Sequence, residues 1–136
     1  MAWDRIEQLL AAATEHQISI GEVALTSEAE ETGVDEAQLL ARMDDYLLVM
    51  EQAVDRGLHE QVMSRSGLVG GQARLLHQHA VAGQGLSGAT ALRAAVYATA
   101  TVEVNAGMGR IVAAPTAGAS GILPGVVLAV AEEREV

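Results

Sequence analysis

The clearest pattern in the chain is a stripe of apolar residues at steps of three and four: Leu39, Leu40, Met43, Leu47, Met50 and Val54. Asp35-Glu36-Ala37-Gln38 is a start signal ahead of it and Gly57 a stop, so a long amphipathic helix is predicted over residues 36–56. Its methionines read as core packing. Trp3, Ile6, Leu9, Leu10 and Ala13 recur at the same spacing and predict a first helix over residues 4–16. Ser19-Ile20-Gly21-Glu22 has the form of a capping box, in which the Ser hydroxyl takes a free amide and the Glu reaches back. A second helix then runs to Thr32, with Gly33 as its left-handed end.

Beyond Gly57 the pattern changes. Ser64-Arg65-Ser66-Gly67-Leu68-Val69-Gly70-Gly71 is rich in turn formers, and a helix carrying Ala73, Leu75 and Leu76 follows. After a second break at residues 83–88, residues 89–106 are Ala-rich and hold neither Pro nor Gly. A helix apolar nearly all round belongs in the centre of a bundle. A last helix is expected to open around residues 121–124, where Pro124 suits a first turn. The expected fold is all-α: a single compact helical domain, residues 1–136, of about five to seven helices, with a glycine-rich loop before the last one.

Composition agrees with helices and narrows the chemistry. The chain has 136 residues, 50% of them hydrophobic, enough for one compact domain with a real core. A net charge of −10, and eight basic residues that are all scattered Arg, argue against nucleic acid. Glu28, Glu30, Glu31, Asp35 and Glu36 read as a solvated helix face. With no Cys there is neither a disulfide scaffold nor a thiolate metal site within this chain. With no Lys there is no Schiff base to pyridoxal phosphate. Residues 111–131 carry no charge, but Pro115, Gly118, Gly121, Pro124 and Gly125 interrupt them too often for a membrane helix. The N-terminus lacks a basic start and an apolar stretch, so a cytoplasmic protein is expected. His77 and His79, two apart, fall on different helix faces and make no metal pair. His16 and His59 are expected at the surface.

Pro115-Thr116-Ala117-Gly118-Ala119-Ser120-Gly121 precedes a helix start. Small residues admit a ligand close to the backbone, and free amides with the helix dipole favour an anion. Thr116 and Ser120 add hydroxyls, and Arg110 a bidentate donor. The alternative is a plain glycine-rich connector that lets two Ala-rich helices pack closely. The spacing matches neither a dinucleotide fingerprint nor a P-loop.

The stretch NAGMGRIVAAPTAGASGILPG, residues 105–125, resembles the signature of the iron–sulfur L-serine dehydratase alpha chain. Ser66-Gly67-Leu68-Val69-Gly70-Gly71 resembles that family's earlier Ser-Gly-Leu-x-Gly-Gly motif, and Ala53-Val54-Asp55-Arg56-Gly57-Leu58 its N-terminal part. The likeness covers nearly the whole chain but only about the first half of the family's. It implies conversion of L-serine to pyruvate and ammonia without pyridoxal phosphate. It also implies a four-iron four-sulfur (4Fe-4S) cluster held by three Cys, whose open iron acts as a Lewis acid. Carried over, Ser66 and Gly67 lie near the substrate, Asn105 and Arg110 flank the cleft, and Thr116, Ala117 and Gly118 face the serine carboxylate. The family's first cluster Cys falls at Ser120, whose hydroxyl is a poor substitute for a soft thiolate. No cluster is therefore expected in this cysteine-free chain, which is expected to be inactive alone. The expected partners are the remaining half of the alpha chain and a beta domain or chain. Self-association is expected through Leu123, Val126, Val127 and Val130. Two other readings stand beside the enzyme: a non-catalytic relative binding a small carboxylate or a partner chain, and a purely structural helical module.

Overall fold

The computed structural model describes residues 5–83, 85–114, 116 and 119–136. Among them are six helices and no strand: α1 (Ile6–His16), α2 (Ile20–Thr32), α3 (Glu36–His59), α4 (Gln72–Val81), α5 (Ala89–Ala106) and α6 (Ile122–Arg134). The all-α expectation and its helix number are met. None of these helices is long and apolar enough to cross a membrane. The chain packs as two compact units, one ending at Asp45 and one beginning at Tyr46.

In the first unit α1 packs on α2. The capping box is present: Ser19 Oγ accepts from the Glu22 amide at 3.1 Å, and Glu22 Oε2 accepts from the Ser19 amide at 2.8 Å. Hydrogen bonds from Ser19, first from its backbone amide and then from its side chain, hold the Glu22 carboxyl below its ordinary range. Gly33 ends α2 at φ 68°, a conformation that glycine adopts without a Cβ clash. Asp35 Oδ2 accepts from the Ala37 amide at 3.1 Å and so caps α3.

In the second unit α5 lies between partners. Val96, Ala100, Thr101, Glu103 and Val104 are all at most 2% exposed. Val54 and Leu58 of α3, Ala73 of α4 and Val96 and Ala100 of α5 form one core cluster. Ala53, Val62 and Val104 form a second, with Ile111 against it. Each fully buried Val contributes about 1.5–3 kcal/mol.

Two expectations about α3 are corrected. Gly57 does not stop the helix, which runs on to His59. It is buried instead where α3 meets α5, and a Cβ there would lie 2.6 Å from Ala100 O. The apolar stripe is core only in its second half: Met50 and Val54 are buried, whereas Leu40, Met43 and Leu47 are exposed. Periodicity shows which residues share a face, but burial needs an element to cover that face.

Gly121 and Gly125 bring α6 onto α5. A Cβ at Gly121 would lie 2.8 Å from Ala98 O, and one at Gly125 2.7 Å from Ala94 O. Gly121 and Gly125 thus serve close helix packing.

Candidate functional site

The turn at residues 64–71 is closed by its own hydrogen bonds. The Ser64 amide donates to Val69 O at 2.8 Å, and the Val69 amide to Ser64 Oγ at 3.1 Å. Ser66 Oγ lies 3.2 Å from Ser64 Oγ and accepts weakly from the Leu68 amide. Gly67 takes the left-handed turn at φ 73°. Gly70, at φ 150°, comes so close to Val62 O that a Cβ would lie 2.3 Å from it, so only glycine fits. The turn delivers the chain to the start of α4.

No local side chain caps α4. Glu103, thirty residues on, does so from α5: its Oε1 accepts from the Gln72 amide at 2.6 Å and from the Ala73 amide at 3.3 Å. The carboxylate also complements the positive end of the α4 dipole. Its other oxygen, Oε2, is buried and accepts no hydrogen bond from any described residue.

The second motif lies before α6. Thr116 Oγ1 accepts from the Ala119 amide at 3.3 Å, and the Ile122 and Leu123 amides both donate to Ala119 O. Pro124 has no amide hydrogen. The first turn of α6 therefore offers fewer free amides than the sequence pattern suggests. Ser120 is 1% exposed.

A cavity of about 350 Å³ opens between these motifs, lined by Val69, Gln72, Ala98, Thr99, Val102, Glu103, Gly121 and Ile122. Its walls are the end of the first turn, the start of α4, the middle of α5 and the start of α6. Of the described site residues singled out from the sequence, Ser66, Gly67, Asn105, Arg110, Thr116 and Ser120 are not in that lining, although Val69 and Gly121 of the two motifs are. Ser66, Gly67, Asn105, Arg110 and Thr116 are exposed. Arg110 instead lines a smaller cavity of about 110 Å³ with Val49, Gln52, Ala53, Arg56 and Val104. Ala117 and Gly118 lie outside the described residues. Glu103 was missed, yet it had a signal: it and Arg93 are the only charges in an 18-residue helix that is otherwise almost all apolar.

An iron–sulfur cluster needs soft thiolates. This chain has no Cys, and no three His, Asp or Glu converge among the described residues. Ser120 offers only a buried hydroxyl. The residues present do not fit a cluster.

A buried carboxylate thus stands beside two small-residue turns in an all-helical protein. Residues 15–136 match the family model described as serine dehydratase alpha chain. The chain belongs to that family. It is 43% identical over 128 residues to the "Probable L-serine dehydratase, alpha chain" of Bacillus subtilis, covering 94% of this chain and 42% of that one. It is 30% identical over 126 residues to the "L-serine dehydratase, alpha chain" of Peptoniphilus asaccharolyticus, covering 93% and 43%. Against the "L-serine dehydratase" of Streptomyces coelicolor, identity is 35% over 127 residues, covering 89% and 26%. The chain thus spans less than half the length of these relatives. No solved structure matches it.

Proposed function

We propose that this chain is part of the alpha chain of an L-serine dehydratase, which converts L-serine to pyruvate and ammonia by β-elimination. The observation that carries the reading is 43% identity across 94% of this chain to a relative of that name. The absence of Lys from this part of the chain is compatible with a route without pyridoxal phosphate. In this reading the chain binds and orients L-serine. Ser66 and Gly67 stand near the substrate, Asn105 and Arg110 flank the cleft, and Thr116, Ala117 and Gly118 face its carboxylate. The remaining half of the alpha chain and a beta domain or chain complete a cytoplasmic enzyme; the other two cysteines of the family's 4Fe-4S cluster would fall in that remaining half, with Ser120 standing at the position of the first. Alone, this chain is inactive.

A second reading rests on one observation, the absence of Cys, with Ser120 where the family motif places one. It makes the chain a non-catalytic relative that binds a small carboxylate or a partner chain through the same loops. The test assays pyruvate from L-serine with the complete two-part protein, purified without oxygen, and with this chain alone. The enzyme reading expects pyruvate from the complete protein only. L-Serine binding without pyruvate in the complete protein would select the second reading. Neither binding nor pyruvate would overturn both.

A further inference from the structure

Glu103 is 2% exposed, and its two oxygens have different fates. Oε1 is held by two amides at the start of α4. Oε2 is buried without a hydrogen bond from any described residue. A buried acceptor left without a donor is costly, and more so when it is charged. In a native protein such a group calls for a reason, and a role at a functional site is one.

We propose that Glu103 receives the α-ammonium group of the amino-acid substrate in the cavity it lines. The proposal rests on the serine dehydratase reading and adds the residue that recognises the amine. Among the described residues the cavity holds no other ionisable side chain. A neutral donor would fill the hydrogen bond and leave the charge unbalanced, whereas an ammonium supplies both. A metal ion would need further ligands, and no cluster of three stands among the described residues. Val69, Ala98, Val102 and Ile122 make the walls apolar, which strengthens a charge pair formed there.

The test uses the complete enzyme and the variant Glu103→Gln. The amide can keep the α4 cap through its oxygen, but its NH2 group cannot accept from an ammonium. KM for L-serine should rise about 100-fold while kcat stays within a few-fold. Competitive inhibition by 3-hydroxypropionate, which is serine without its amine, should be unchanged or tighter. An unchanged KM overturns the proposal. So does equal weakening of serine and 3-hydroxypropionate, which would make Glu103 a helix cap alone. So does a collapse of kcat at constant KM, which would place it at the reacting atoms. If Glu103→Gln loses its helices, Thr99→Lys decides. That site lines the cavity one helical turn from Glu103, so an ammonium introduced there competes for the carboxylate. KM for L-serine should then rise about tenfold with 3-hydroxypropionate inhibition unmoved, and no rise overturns the proposal. A wild-type protein that neither binds nor turns over L-serine removes the functional reading and this inference together.

Discussion

Gly125→Ala tests whether α6 sits on α5 through bare backbone. A Cβ there would stand 2.7 Å from Ala94 O and 2.9 Å from both Ala98 Cβ and Ala98 N, against 3.4 Å for the near limit of ordinary contact. The helices would have to part by about 0.7 Å, and the obstacles are backbone atoms and a methyl with no rotamer to change. Overpacking of this kind costs about 1–3 kcal/mol. Alanine recovers roughly 0.5–1 kcal/mol of helix propensity. The expected net is a loss of about 1–2 kcal/mol. Gly21→Ala in α2 is the control, because its Cβ would meet only Ser19 Oγ at 3.7 Å. There the propensity term stands alone, and a gain of about 0.5 kcal/mol is expected. Urea unfolding followed by circular dichroism reads both variants. A Gly125→Ala protein that unfolds at the same or higher urea concentration than the parent would refute the close-packing argument.

Three further outcomes are expected. Tyr97 is pushed up to about 12, first by burial and then by the hydrogen bond and charge of Glu132, with Arg93 opposing. Its folded value is raised, so the stability it brings is complete below pH 10 and is lost as pH climbs towards about 12. Near-ultraviolet titration should show this step and Tyr97→Phe should remove it; a Tyr97 phenolate already formed at pH 10 would contradict the burial. Glu22 has the opposite sign: its value is depressed from 4.5, so its contribution is present above that pH and fades as pH falls below it. Amide exchange in the first turn of α2 should quicken in acid, and Glu22→Gln should flatten that dependence; an unchanged acid response would count against the capping box. The exposed apolar face of α6, with Ile122, Leu123, Val126, Val127 and Val130, should drive self-association that Val127→Asp weakens in sedimentation velocity. A parent chain that sediments as a monomer at every concentration would refute it.

Much of the helical layout was legible because its causes are local. The Ser19–Glu22 box, the Gly33 end and the Asp35 cap each join residues within four positions, and such bonds form wherever those residue types meet at that spacing. The nearly all-round apolar character of α5 likewise announced its central place. The motifs at residues 64–71 and 105–125 were legible as a family likeness, which the match over residues 15–136 bears out.

Other features depend on which elements meet. Nothing local distinguishes a glycine that ends a helix from Gly57, which lets α3 touch Ala100 on another helix. The stripe on α3 marked a face, but what covers it decided that Met50 is buried and Met43 is not. The site's main polar feature joins Glu103 to amides thirty residues away, across a contact that α4 and α5 create by packing. By itself the sequence determined where helices start, which residues share a face, and the family. Only the tertiary structure decided that a lone glutamate in an apolar helix would cap α4 with one oxygen and leave the other buried, because a hydrogen bond between distant segments forms only once packing has brought them together.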